Sequence, residues 1–317
     1  MGKLIEGVWR DEGYDTSNTD GRFVRWDSSF RQQVSTDGTS GFKAEAGRYH
    51  LYLSWACPWA HRTLIMRSLK KLEDVVSVSF VEAFMGKQGW TFAEGGDPLY
   101  GLDTLYQVYL KAKPDYSGRV TVPVLWDRQS ETIVNNESSE IIRMLNSEFS
   151  AFGDNTTDYY PPNLRADIDA INEDVYSRVN NGVYRTGFAT TQEAYEEAFD
   201  ALFDCLDALE ERLSGQRYLV GDRITEADWR LFTTLVRFDA VYVGHFKCNL
   251  RRIVDYANLW GYLRELYQHP GVAETVNMDQ IKGHYYASHT MVNPTGIVPK
   301  GPDIDFTSAH GREDPTG

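Results

Sequence analysis

The sequence predicts a mixed α/β first half followed by an all-helical second half. Three observations carry this. A strand–helix–strand succession occupies residues 49–81, which suggests a parallel βαβ unit. A strand, a turn and a second strand follow at 121–135 and lead into a helix. Beyond a linker at 148–162, apolar residues recur at helical spacing.

The 317 residues are enough for two domains of ordinary size. At 42% apolar and 13% aromatic, the composition suits a soluble globular protein with a substantial core. No apolar run is long enough to span a bilayer, and the first residues lack the apolar core of a signal peptide. Three cysteines (Cys57, Cys205, Cys248) make no disulfide framework, so a reducing cytoplasm is the expected setting. The net charge of -14 argues against nucleic acid or an anionic membrane as partner. Such acidity could also reflect adaptation to high salt, although ordinary acidic proteins carry it too. The seven His and three Cys form no ligand-spaced cluster, and no metal is expected.

Taken in order, residues 1–46 are rich in Asp, Ser, Thr and Gly, with scattered Trp9, Phe23, Trp26 and Phe30. They read as a long irregular arm held on a folded body by its aromatics. A first domain is expected over 47–147. In it Tyr49, Leu51 and Leu53 alternate with His50, Tyr52 and Ser54, a strand pattern, and 63–69 reads as a helix entered through Pro58. Residues 75–81 form a second β-rich run, and the Gly-containing insertion at 82–119 carries a helix near 105–112. The strand at 121–126 is entered through Pro123, where a cis Val122–Pro123 bond would account for a proline. Its hairpin partner is 132–135, and a helix over 141–145 follows, with Ser138 or Ser139 as cap. After the linker, helices are expected at 163–180, 191–213, 225–241 and 259–267, within a helical domain over 163–282. Thr225 and Asp228 resemble a capping box with Asp in place of Glu or Gln. Gly and Pro content predicts an extended tail over 283–317.

Cys57 stands at the junction of the first strand and helix. Pro58 suits the first helical position, where its missing N–H costs nothing. The preceding thiol therefore faces unpaired backbone N–H groups and the positive end of a helix dipole, which favour the nucleophilic thiolate. Ala60, three residues on, replaces the second cysteine of a dithiol motif, so the expected chemistry is monothiol. Cys205, on an apolar helical stripe, reads as buried and inert.

This order of elements resembles the glutathione transferase fold, an α/β thioredoxin-like N-terminal domain plus an all-α C-terminal domain. The segment LSWACPWAHRT at 53–63 is similar to the active-site signature of the glutathionyl-hydroquinone reductases, the Xi class of that superfamily. GWTF at 89–92, TVPVLWD at 121–127, NNESSE at 135–140, GVY at 182–184, RFDAVY at 237–242 and NPTGIVP at 293–299 match further motifs in the same order. The resemblance covers nearly the whole chain, arm and tail included.

The resemblance implies glutathione as co-substrate, an aromatic conjugate as substrate, and a homodimer. Cys57 would attack the sulfur of a glutathionyl-hydroquinone, leaving a Cys57–glutathione mixed disulfide that a second glutathione resolves. Val122 would offer its backbone to the cysteinyl part of glutathione. Glu137 and Ser138 would bind the γ-glutamyl end, and Trp90 and Arg119 the rest of the tripeptide. Tyr184, Tyr242 and Tyr285 would line the aromatic site, Tyr184 giving the proton, with Tyr286 the neighbouring alternative to Tyr285. Two other readings remain: an Omega-like thiol transferase or dehydroascorbate reductase, and a non-catalytic thiol-binding protein.

Overall fold

The computed structural model describes residues 2–312; the ends of the expected arm and tail, residue 1 and residues 313–317, lie outside the described residues. The chain divides into two compact units. The first holds residues through Tyr14, Arg25–Asp158 and Asn277–His284; the second holds Asp15–Val24, Tyr159–Val276 and the residues from Tyr285 on.

In the first unit the elements are β1 (Lys3–Ile5), β2 (Val8–Arg10), β3 (Val34–Ser35), β4 (Phe42–Lys43), β5 (Tyr49–Leu53), α1 (Pro58–Leu69), β6 (Ser77–Phe80), α2 (Leu105–Ala112), β7 (Gly118–Arg119), β8 (Val124–Asp127), β9 (Thr132–Asn135) and α3 (Ser138–Ser147). The main sheet runs β6-β5-β8-β9. β5 pairs parallel with β6 across the α1 crossover and antiparallel with β8, which pairs antiparallel with β9. The expected βαβ unit and hairpin are both present, and the Val122–Pro123 bond is cis.

Every residue of β5 is buried. The alternation in its sequence distinguishes two covered faces, not an inside and an outside. Its polar members are satisfied locally. The His50 ring nitrogens meet Ser77 Oγ at 2.8 Å and Ser79 Oγ at 2.9 Å, and Tyr52 Oη donates to Asp97 at 3.1 Å. Burial pushes the His50 pKa down to about 4, so the ring sits neutral in the sheet. At the strand's start, the Arg48 guanidinium grips buried Asp127 with two bonds of 2.8 Å, tying β5 to the end of β8. Helix α1 buries nine-twelfths of its residues, Leu64, Ile65 and Met66 among them. Truncating one of these to Ala would cost about 2–5 kcal/mol.

The arm departs from the expected irregular chain. β1 pairs antiparallel with both β2 and β7, and Leu4 is buried. β3 pairs parallel with β4. Strands of two or three residues are too short for alternation to reveal.

The second unit holds α4 (Arg165–Val175), α5 (Gly182–Gly187), α6 (Gln192–Gly215), α7 (Glu226–Arg237) and α8 (Ala257–Tyr267). The helices expected at 163–180 and 225–241 each change winding near their ends, into π-helical turns at Tyr176–Asn180 and Phe238–Tyr242. The capping box at Thr225 forms. Asp228 accepts from Thr225 N at 2.7 Å and Oγ1 at 3.1 Å, and also from Leu219 N and Tyr262 Oη, each at 2.9 Å.

The expected boundary at 282 is corrected by α9 (Met278–Ser288), whose residues are divided between the two units after His284. An interior glycine costs a helix about 1 kcal/mol. The buried, hydrogen-bonded Tyr285 two residues beyond Gly283 outweighs that cost. From residue 289 to 312 no helix or strand forms, in keeping with a tail. Phe306 anchors it on the rings of Trp260 and Tyr267, at 5.8 and 4.9 Å. Among the described residues no helix is long and apolar enough to cross a membrane.

Candidate active site

In the first unit, the chain turns sharply from β5 into α1. Ser54 shapes the turn: its Oγ accepts from Ala56 N at 3.2 Å and its carbonyl from Cys57 N at 3.3 Å. Cys57 is the residue before the helix, with extended φ and ψ of -75° and 121°, and Pro58 takes the first helical position as the sequence predicts. The Cys57 carbonyl receives the first helical bond, from His61 N at 3.0 Å. The side chain makes no cap bond of its own and is half-buried. Its Sγ instead donates to the Val122 carbonyl at 3.5 Å. The thiol is thus placed between a helix start and the segment leading into β8. Ala60, in the position of a second cysteine, is buried.

The start of α3 joins the same unit. Glu137 is the cap, its Oε1 accepting from Ser139 N at 3.0 Å and Ser139 Oγ at 2.9 Å. This corrects the expected Ser138 or Ser139 cap. A glutamate reaches the second amide as well as a serine would, which frees Ser138 for another bond. Ser138 is buried and its Oγ accepts from Arg62 Nη1 at 3.3 Å. The other Glu137 oxygen accepts from Ser28 Oγ at 3.1 Å, so the arm braces the carboxylate.

Trp90 and Arg119 are more deeply engaged than their expected roles require. Trp90 is 6% exposed, with its ring stacked on His284 at 4.7 Å; His284 Nδ1 is held by the Ala83 carbonyl at 2.8 Å. The Arg119 guanidinium is buried and occupied by carbonyls of the arm: Glu12 at 2.6 Å, Gly13 at 2.7 Å and Gly2 at 3.3 Å. The Tyr14 ring lies 4.3 Å from it. Burial pushes its pKa below the ordinary arginine value.

The second unit gathers the three expected tyrosines. Tyr285 Oη meets both Tyr184 Oη, in a short contact, and Tyr242 Oη at 3.0 Å. All three rings are buried. Burial, then the neighbouring phenols, drive the Tyr285 pKa well above its usual 10, so it stays a protonated phenol at neutral pH. Tyr286 turns elsewhere and donates to the Ala240 carbonyl at 3.2 Å. Each π-helical turn adjoins the cluster: Tyr242 closes one, and α5 with Tyr184 follows the other. Such turns re-aim side chains and recur at functional sites.

Phe23, Phe188, Phe246, His245 and His289 surround these phenols, and sequence spacing revealed none of them. Cys205 and Cys248 are buried in the same unit. Burial pushes the Cys205 thiol up to about 12 and the Cys248 thiol higher still. Both are poor nucleophiles. Among the described residues no group of three or more His, Cys, Asp or Glu could hold a metal ion.

Family models of the glutathione S-transferase N-terminal domain and C-terminal domain match residues 56–148 and 192–265. Among curated proteins, the chain is 60% identical to glutathionyl-hydroquinone reductase PcpF of Sphingobium chlorophenolicum, over 95% of this chain and 96% of that one. It is 57% identical to glutathionyl-hydroquinone reductase YqjG of Escherichia coli K12, over 99% of each. The glutathione-bound structure of YqjG superposes with a TM-score of 0.91, covering 99% of both chains. A Xi class glutathione transferase from Natrialba magadii gives the same TM-score at 50% identity, covering 98% of this chain and 96% of that one.

Proposed function

The chain belongs to the glutathione transferase family, within its Xi class of glutathionyl-hydroquinone reductases, and from that premise we propose that it reduces glutathionyl-hydroquinones to hydroquinones with glutathione as co-substrate. The observation that carries the reading is the placement of Cys57 at the start of α1, with Sγ on the Val122 carbonyl and no second cysteine in the motif.

The Cys57 thiolate attacks the glutathionyl sulfur of the conjugate. A sulfur–sulfur bond forms, the sulfur–carbon bond breaks, and the electron pair leaves on the ring carbon, which takes a proton and becomes hydroquinone. Tyr184 supplies that proton, with Tyr285 and Tyr242 behind it in a chain of hydroxyls. A second glutathione then attacks the Cys57–glutathione disulfide, giving oxidised glutathione and restoring the thiolate.

Val122 offers its backbone to the cysteinyl part of the tripeptide, while Glu137, Ser138 and the start of α3 take the γ-glutamyl end. Trp90 presents the little surface it retains. Arg119 acts through the arm it anchors. The protein works as a cytoplasmic homodimer, and sedimentation of dilute protein should give twice the 36.2 kDa chain mass.

The test is a side-by-side assay of a glutathionyl-menadione conjugate and dehydroascorbate. Conjugate turnover well above dehydroascorbate reduction supports the reading. The reverse order would assign the protein to Omega-like chemistry, and inactivity toward both would leave a thiol-binding role.

A further inference from the structure

Beside the phenol cluster, the second unit buries two imidazoles that the proposed reaction does not use. His245 Nε2 and His289 Nδ1 are 3.1 Å apart, and both rings are shielded from solvent. Of two facing ring nitrogens, one must carry the proton and the other must accept it. The contact is therefore directional, and it exists only while the two rings hold their present orientation.

The placement of this pair follows that of the tyrosines. His245 lies three residues after Tyr242, in the helical turn that continues the π-helical segment, where His245 N bonds the Val241 carbonyl at 2.8 Å. His289 lies four residues after Tyr285, just past the end of α9. Spacings of three and four put side chains on one face of successive turns. The Tyr242–Tyr285 contact of 3.0 Å and the His245–His289 contact of 3.1 Å are thus successive rungs between the same two segments. Aromatic faces fix the imidazoles. His289 meets the rings of Phe188 at 5.1 Å and Tyr285 at 5.5 Å, and His245 meets Tyr286 at 4.8 Å.

We infer that His245 and His289 are a positioning pair that holds Tyr285 in register against Tyr242 and Tyr184. Neither imidazole touches the reacting atoms. The pair pins the end of α9, and Tyr285 one turn earlier inherits that placement. This inference rests on the reading that the phenols serve the aromatic substrate.

Side-chain amides provide a test that keeps polarity and bulk nearly constant. Asn places its amide where a His carries Nδ1, and Gln where a His carries Nε2. His289→Asn and His245→Gln therefore retain the bonding position, whereas His289→Gln and His245→Asn displace it. The expected result is a fall of about tenfold or more in kcat for the glutathionyl conjugate in the displaced variants, because small misplacements of positioned groups are costly. Near-normal kcat is expected in the retained variants. In all four, the KM for glutathione and the reduction of a small aliphatic glutathione disulfide should stay unchanged. Equal losses on both substrates, or no difference between displaced and retained variants, would overturn the inference. Tyr285→Phe, assayed alongside, separates the two levels of argument. If it leaves conjugate turnover intact, the role given to the phenols fails. If it impairs turnover while the displaced histidine variants do not, only the positioning pair fails.

Discussion

The Cys57 Sγ stands 3.5 Å from the carbonyl oxygen of Val122 and donates to it, across 65 residues of sequence. The contact aims the thiol at the backbone that leads into β8. The carbonyl acceptor favours the protonated thiol, and the helix start opposes it by favouring the thiolate. Cys205 and Cys248 lie in the opposite circumstance, buried and with thiol pKa values pushed up. Iodoacetamide at neutral pH should therefore label Cys57 first and leave the other two unmodified until the protein is denatured. Peptide mass mapping over a time course checks this. Labelling of Cys205 or Cys248 in step with Cys57 would contradict it.

Tyr184 and Tyr285 share a short hydroxyl contact in a buried cluster. Replacing Tyr184 with Phe removes one hydroxyl and little volume. Conjugate turnover should fall by about 10²-fold, the lower range for losing a positioned general acid. Reduction of a simple glutathione disulfide should persist, since its leaving thiolate needs no proton on carbon. Parallel loss of both activities would make the residue structural.

The Arg48–Asp127 fork makes stability depend on pH. Burial disfavours the Asp127 carboxylate, but bonds from Arg48, Ser130 and the Gln129 N–H outweigh it and hold the pKa below the ordinary aspartate value. A lowered folded-state pKa contributes stability above the unfolded value, about 3.9, and loses it as pH falls through the folded value. Asp127→Asn should cost about 1.5–3 kcal/mol at neutral pH, because it removes the charge-assisted fork, while Glu45 still pairs with Arg48 at 2.9 Å. Denaturant melts should show that deficit narrowing below pH 4. A constant deficit across that window would count against the linkage.

Arg119 binds three arm carbonyls, which makes the arm its direct charge. Arg119→Met should expose the chain near Glu12 and Gly13 to limited proteolysis while leaving the KM for glutathione nearly unchanged. A protected arm together with a collapse in glutathione affinity would instead place the guanidinium on the ligand.

The Cys57 junction was legible in the sequence because everything that builds it is local: a strand pattern, a proline at the first helical position and an apolar helix. The hairpin and the Thr225 box were legible for the same reason. The occupation of Arg119 was not, since its partners are backbone carbonyls more than a hundred residues away. The extension of α9 to Ser288 was hidden by Gly283, whose local cost is offset by tertiary contacts at Tyr285. The two π-helical turns were invisible because one extra residue per turn scarcely alters apolar spacing. The three tyrosines came from motif resemblance alone, for nothing in their spacing joins residues 184, 242 and 285. The histidines beside them had no such motif and emerged only from the folded chain.

The most direct measurement is the mass of the enzyme after mixing with one equivalent of glutathionyl-menadiol, the hydroquinone-level conjugate, and no free thiol. The predicted result is a gain of one glutathione, mapped to Cys57, with release of an equal amount of menadiol, and no gain in Cys57→Ser. An intramolecular disulfide from Cys57 to Cys205 or Cys248 as the accumulating species, or release of menadiol from Cys57→Ser, would contradict the monothiol mechanism.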